Sequence, residues 1–208
     1  MSPLQKIAMG LVIVFVPANF EIAHHVYDAL PDPLGWLLVL SGMKALRAHL
    51  DVDVAYWLTW VALVISVPLW VPQLTEHLPD IPDHLRTASE QAQATKAASI
   101  AWALALPQSV MSALLVRAIG QEAIGRQPRD TFVAGRFGVL LWGLVATIVL
   151  PPVAYGGDVA NLVTPTLIGV GLVNAALIYY LFRVHRREWL GGPGPLEIQA
   201  FRPKDDPA

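Results

Sequence analysis

Hydrophobic residues fall into six long blocks along the chain, and short polar stretches separate them. A helix that crosses a membrane needs about 20 consecutive, mostly apolar residues. The pattern therefore predicts an all-α, polytopic transmembrane bundle with six spans. We place these spans at residues 4–21, 33–46, 54–74, 97–117, 137–155 and 162–182.

The first two predicted spans have short apolar cores. Each would need snorkelling side chains at its ends, or local thinning of the bilayer, to cross the membrane. The first block also has a competing interpretation, because Lys6, an apolar run and "VPA" before Asn19 resemble a signal peptide with its cleavage site. Cleavage there would leave five spans and would not change the orientation of the chain after Asp32.

The distribution of basic residues predicts the orientation of the spans. Cytoplasmic loops of membrane proteins carry an excess of Lys and Arg. With the N-terminus inside, only Arg86 and Lys96 of the 14 basic residues fall outside. The inner set is Lys6, Lys44, Arg47, Arg117, Arg126, Arg129, Arg136, Arg183, Arg186, Arg187, Arg202 and Lys204. We therefore predict a bundle with both termini in the cytoplasm.

Composition supports a membrane location and excludes several kinds of partner and site. Hydrophobic residues make up 55% of the chain and charged residues 14%, against about 25% charged in a typical soluble domain. A net charge of −2 gives no electrostatic reason to bind nucleic acid, and the absence of cysteine excludes disulfides and thiolate metal sites. We predict one transmembrane domain at 1–190 and a disordered cytoplasmic tail, rich in Gly and Pro, at 191–208.

Helix ends and packing surfaces can also be predicted. Ser2 with Pro3, and Asp32 with Pro33, are typical of an N-cap followed by a first-turn proline. Small residues at every fourth position allow another backbone to approach closely. Such helix-packing positions occur in the fourth and sixth spans, within the chain or between copies in a homo-oligomer: Ala97, Ala101, Ala105, Ser109, Ala113, Gly171 and Ala175.

Histidines and acids collect at the predicted outer ends of the first three spans. Glu21, His24, His25 and Asp28 would share one helix face if the first helix continued to about residue 27. A second group follows the third span: Glu76, His77, Asp80, Asp83 and His84. Imidazole and carboxylate together suit a divalent metal such as Zn, Mn or Fe. The alternative is a solvated face with no ligand.

The middle of the predicted spans carries no Lys, Arg, Asp, Glu or His. Intramembrane ionisable groups mark proton relays and ion pathways, so their absence argues against a proton-coupled carrier. Gln108 and Asn174 are among the few polar groups there, and an apolar cavity lined by them would favour an amphiphile carrier. At the inner rim, Arg126, Arg129, Arg136, Arg183, Arg186 and Arg187 either hold anionic lipid headgroups or serve only as topology charge.

The segment "DALPDPLGWLLVLSGMKAL" resembles a hairpin found between the first two spans of small uncharacterised bacterial integral membrane proteins. The positions that carry the resemblance are Asp28, Leu30, Pro31, Asp32, Gly35, Trp36 and Gly42. It covers about the first fifth of the chain, and it implies a bacterial membrane location without implying an activity.

These observations favour a multi-pass protein of the bacterial inner membrane with no enzymatic activity. It would act as a binding, scaffold or small transport component, with the lipid bilayer as its surroundings and another membrane protein or a second copy as a possible partner. The alternative prediction is a membrane enzyme or metal-binding protein whose site lies at the outer His and carboxylate cluster. The first prediction includes no cofactor, and a divalent metal belongs only to the alternative.

Overall fold

The computed structural model describes residues 1–16, 19–22, 25–28, 31–70, 88–156 and 160–195, with backbone alone at 19–22, 25–28, 88–95, 155–156 and 160–161. Six α-helices lie within these ranges, as the sequence predicted for the fold class. They are α1 (Pro3–Phe15), α2 (Asp32–Leu46), α3 (Asp53–Trp70), α4 (Ala88–Gly125), α5 (Thr131–Gly156) and α6 (Ala160–Val184). Each helix packs against the next, and α6 packs against α1, so the six helices form a closed ring.

Four of these helices are long and apolar enough to cross a membrane. The candidate spans are Asp53–Trp70, Lys96–Gly125, Thr131–Ala154 and Leu162–Val184, which confirms the last four predicted apolar spans. With 38 residues, α4 is about 57 Å long and extends beyond a hydrocarbon core of about 30 Å. Such apolar helices indicate a lipid bilayer environment.

The first helix is shorter than the sequence predicts, because it ends at Phe15, whereas α2 agrees with the predicted second span to within one residue. The 13 residues of α1 span about 20 Å and the 15 residues of α2 about 22 Å, so neither helix alone matches a core of about 30 Å. Between them lies an antiparallel two-stranded hairpin, β1 (Asn19–Ile22) and β2 (His25–Asp28). The sequence analysis predicted no strand, and it extended the first helix to residue 21.

Helices α1 and α2 begin at different kinds of cap. The Ser2 hydroxyl accepts a hydrogen bond from the Gln5 backbone N–H at 3.2 Å, with Pro3 in the first turn, as predicted. At α2 the N-cap position is Pro31. Asp32 is therefore the first helical residue and not the predicted cap, and Pro33 stands one position further inside. The Asp32 carboxylate still lies in the first turn, where the helix dipole favours negative charge.

Glycines bring α1 and α2 into backbone contact. A Cβ placed on Gly10 would lie 2.5 Å from the carbonyl oxygen of Gly35, and one on Gly35 would lie 2.8 Å from the carbonyl oxygen of Gly10. A Cβ on Gly42 would lie 2.7 Å from the carbonyl oxygen of Pro3. No other residue type leaves room for this approach, so the glycines determine how closely the two helices pack.

The buried core is concentrated in one half of the bundle. In α5 the large buried side chains, Val133, Phe137, Leu140 and Leu144, all lie between the start of the helix and its middle. Exposed ones occur in both halves, at Val139 and Trp142 and then at Val145, Val149, Leu150 and Val153. In α6 the large buried side chains, Leu177, Leu181 and Val184, instead lie in the second half, after the exposed Leu167, Ile168 and Leu172. The apolar surfaces of the other half are left for lipid or another partner to cover.

The segment after α6 is folded through residue 195. Together with three other regions of the chain it forms one end of the bundle. Gly191, with φ +73°, lies where an added Cβ would meet His49 and Pro3. Arg187 pairs with Asp130 at 3.1 Å, and Arg126 stacks on Trp189. We call this end, formed by the start of α1, loops 47–52 and 126–130 and segment 185–195, the arginine end. Residues 196–208 of the predicted tail lie outside the described residues.

Candidate functional site

The predicted metal cluster does not lie on a helix face. The four residues would share a helix face only if the first helix continued to about residue 27, but α1 ends at Phe15. The hairpin register pairs Glu21 with Val26, His25 with Ile22 and Asp28 with Asn19. The backbone therefore brings these positions together by strand pairing, within one short hairpin. His24 and all four side chains lie outside what the structure describes.

The second histidine and acid group, at residues 76–84, also falls outside the described residues. Among the side chains that the structure does describe, no group of three or more histidine or acidic residues could hold a metal ion. The divalent metal site at Glu21, His24, His25 and Asp28 therefore stays a prediction.

The small-residue stripe is mostly uncovered within the chain. Ala97, Ala101, Ala105, Gly171 and Ala175 are exposed, while Ser109 and Ala113 are half-buried. A Cβ on Gly171 would meet nothing within 4 Å. Within the described part of the chain, these five positions are therefore not buried by helix packing. A contact between copies at the stripe stays a prediction.

Hydroxyl groups in the helices mostly bond to their own backbone. Thr59 donates to the carbonyl oxygen of Ala55 at 2.8 Å, and Thr147 donates to that of Leu144 at 2.7 Å. This is the usual way in which a helix satisfies a hydroxyl in apolar surroundings. Gln108 and Asn174 do not line the recess, the groove or its extension described below, all formed by residues that the structure describes, so an amphiphile cavity at these two residues stays a prediction.

A recess of about 590 Å³ opens at the arginine end, between the C-terminus of α4, the start of α5 and segment 183–195. Its floor and walls combine basic and aromatic side chains. The lining residues are Arg126, Phe132, Arg183, Val184, Arg186, Arg187, Glu188, Trp189 and Pro195. The sequence analysis named four of these arginines as part of the inner rim, but it could not show that they surround a cavity.

The arginines of the recess differ in how they are held. Arg126 bonds Glu122 at 3.2 Å, Arg187 bonds Asp130 at 3.1 Å, and the Arg186 Nε donates to the carbonyl oxygen of Gly194 at 2.8 Å. Within the described part of the chain, Arg183 makes no hydrogen bond or ion pair. A site that combines these held arginines with Arg183, which has no acidic partner among the described residues, is suited to an anion.

A separate apolar groove lies along α5 and α6, and a shallow surface that shares residues with both lies between it and the recess. Phe132 lines both the recess and this shallow surface, which includes Arg136, and Arg136 lines the head of the groove. The groove holds about 310 Å³ and is lined by Arg136, Val139, Leu140, Gly143, Leu172, Val173, Ala176 and Tyr180. A narrower extension of about 90 Å³ follows from Gly143 to Pro165 and Thr166. Arg136, like Arg183, has no partner among the described residues.

The groove exists because α5 and α6 carry small residues where they face each other. Gly143 leaves room beside Val173, whose side chain a Cβ on Gly143 would meet at 3.1 Å. Gly143 lines both the groove and its extension, Ala176 lines the groove and Gly169 lines the extension. The sequence does contain a signal for this site, because two basic clusters flank apolar spans. That the two clusters lie near each other follows only from the antiparallel contact of α5 with α6.

Comparison of the chain with models of known protein families, with curated proteins and with solved structures gives no match. The candidate site is therefore argued from its geometry.

Proposed function

We propose that the chain is a multi-pass protein of the bacterial inner membrane with no enzymatic activity, and that it acts as a binding or scaffold component. In this proposal all six helices contribute to the membrane domain, both termini are cytoplasmic, and the arginine end faces the cytoplasm. The bacterial location follows the resemblance of residues 28–46 to hairpins of small bacterial membrane proteins.

The observation that carries the proposal is the separation of apolar and basic surface on one bundle. The sides of the candidate spans present large apolar groups to the outside, with Trp142 76% and Val139 73% exposed. Basic side chains instead gather near the loops and termini of the arginine end. This is the distribution expected of a bundle whose sides contact lipid and whose basic end lies in the cytoplasm.

The packing of α1 supports keeping it in the mature protein. Leu4, Ile7, Ala8 and Leu11 are fully buried, and α1 contacts both α2 and α6. Cleavage after Ala18 would remove these side chains and open the ring. We therefore favour six helices in the mature chain over the signal-peptide alternative, and the intact mass of the purified protein tests this directly.

Cysteine labelling tests the topology, because the natural chain contains no cysteine and needs no background substitutions. We expect Gln127→Cys, in the exposed α4–α5 loop, to react with a membrane-impermeant maleimide only after cells are permeabilised. Glu90→Cys should react in intact cells. The opposite pattern would overturn the proposed orientation.

A third variant asks whether the short α1–α2 hairpin crosses the bilayer. His24→Cys, in the connection between β1 and β2, should react in intact cells if the hairpin reaches the outer surface. If His24→Cys reacts only after permeabilisation while Glu90→Cys reacts in intact cells, only four helices cross the membrane and the proposal of six crossings is wrong.

A further inference from the structure

We infer that the recess at the arginine end and the α5–α6 groove form one binding site for an anionic phospholipid. The headgroup would lie at Arg183 and Arg136, and an acyl chain would lie in the groove. The inference rests on the proposed membrane location and adds a ligand class and two recognition residues to it.

The headgroup end is preorganised for a phosphate. Hydrogen bonds and ion pairs hold Arg126, Arg186 and Arg187 in place. The acids that accompany them, Glu122 and Asp130, are already paired with arginines. Glu188 also lines the recess, so the full charge of the site includes this carboxylate.

Two guanidinium groups are left for a ligand. Arg136 and Arg183 are exposed and have no hydrogen-bond or ion-pair partner in the described part of the chain. Arg183 follows Tyr180 by less than one helical turn, and Tyr180 lines the groove together with Arg136. Arg136 thus lines the groove itself, and Arg183 lines the recess within one helical turn of a groove residue. Arginine can bind phosphate oxygens in a forked geometry.

The groove has the polarity and the length of an acyl chain in one leaflet. Beyond Arg136 its lining is apolar apart from the Tyr180 hydroxyl, and the extension adds only the hydroxyls of Thr147 and Thr166. From Arg136 to Thr147 the axis of α5 rises by about 16 Å. Half of a hydrocarbon core of about 30 Å is about 15 Å. A lipid of the leaflet next to the arginine end would thus fill the groove without a gap.

This gradient from charge to apolar surface selects a lipid over a soluble anion. A free phosphate would use the arginines and leave the groove empty. A zwitterionic lipid would fill the groove, but its own cation would offset the attraction of the arginines for the phosphate. The anionic phospholipid is the ligand that uses both parts of the site.

Native mass spectrometry of the full chain in a mild detergent tests the inference. Phosphatidylglycerol and phosphatidylethanolamine with identical acyl chains would be titrated separately. We expect phosphatidylglycerol to bind roughly 25-fold more tightly than phosphatidylethanolamine. Each of the two unpaired arginines near an anionic group should contribute about fivefold. Arg136→Gln with Arg183→Gln should remove this preference, while the exposed Arg117→Gln on α4, outside the site, should leave it unchanged.

The groove is tested by Val139→Trp, which places a large ring in the lining at a position that is 73% exposed. It should weaken the binding of both lipids, whereas Val149→Trp, also exposed on α5 but not part of the lining, should not. If the double glutamine variant does not fold, Arg136→Lys with Arg183→Lys keeps both charges and should retain a preference for the anionic lipid.

Three results would overturn the inference: equal binding of the two lipids by the natural chain, an equal effect of Arg117→Gln, or competition by glycerol phosphate as effective as by the lipid. The last would indicate an anion site without an acyl chain. None of these results depends on which side of the membrane the arginine end faces. A failure of the lipid test with the expected cysteine labelling would leave the proposed function standing.

Discussion

Replacing Gly10 by alanine tests whether the backbone contact between α1 and α2 stabilises the bundle. The new Cβ would lie 2.5 Å from the carbonyl oxygen of Gly35 and 2.9 Å from the backbone nitrogen of Val39. Ordinary contact begins near 3.4 Å. Because the opposing atoms belong to the backbone of α2, no side-chain rotation relieves the overlap, and the two helices must separate by most of 1 Å.

The expected cost follows from this separation. Overpacking of a well-packed core costs about 1–3 kcal/mol, and a gap of 0.5–1 Å forfeits about a quarter to a half of each dispersion contact across it. The fully buried side chains of α1 depend on such contacts. Alanine has a higher helix propensity than glycine, which offsets this cost by up to about 1 kcal/mol. We therefore expect a net loss of about 2 kcal/mol, or a fall in Tm of roughly 4–8 °C for a chain of this size.

Thermal unfolding in detergent, followed by circular dichroism, would measure the change. The matched control is Gly138→Ala on α5, where a Cβ would meet nothing within 4 Å, and this variant should be neutral or slightly stabilising. Gly35→Ala should cost about as much as Gly10→Ala, and the double variant less than the sum, because one separation relieves both overlaps. Equal Tm values for Gly10→Ala and Gly138→Ala would refute the reasoning.

Two further predictions concern the α4–α5 loop and the β-hairpin. Asp130 caps α5 by accepting a hydrogen bond from the Val133 backbone N–H at 3.2 Å, and it also pairs with Arg187. Asp130→Ala should therefore lower the free energy of unfolding by about 1–2 kcal/mol, whereas Asp130→Asn keeps the cap and should cost less. Equal losses would show that the cap contributes little. The alternative hypothesis of a metal site predicts that elemental analysis of the purified chain finds a divalent metal, and that Glu21→Ala or His24→Ala removes it. A metal-free natural chain would end that prediction.

The long helices could be predicted from the sequence because each apolar block exceeds the length that a bilayer requires. The start of α5 and the end of α6 lie within a few residues of the basic clusters that flank them. The same reasoning extended the first helix past Phe15, since "VPANFEI" is apolar enough to continue a span. Apolarity alone does not distinguish a helix from a short strand. The hairpin depends on the pairing of two segments, and the pattern of apolar blocks does not show which segments pair.

The candidate site was harder to predict than the spans. Arg136 and Arg183 were identified as part of a basic rim, but their lack of partners depends on which acids reach Arg126 and Arg187. The groove depends on Gly143 facing Val173 across two helices. The small-residue spacing at Ala97, Ala101 and Ala105 predicted close packing, but these positions are exposed, because spacing shows where a partner could fit and not whether one is present.

The closed ring of helices also determines the order in which the protein can be completed during synthesis. Since α1 packs against α6, α1 obtains this neighbour only after α2 to α5 have been synthesised. The turn at Gly191, which contacts both His49 and Pro3, is made later still. Until α6 has been made, α1 is held mainly by its contact with α2, which Gly10, Gly35 and Gly42 allow to be close. A nascent chain halted before α6 would expose an unfilled side of α1 to lipid or to a chaperone.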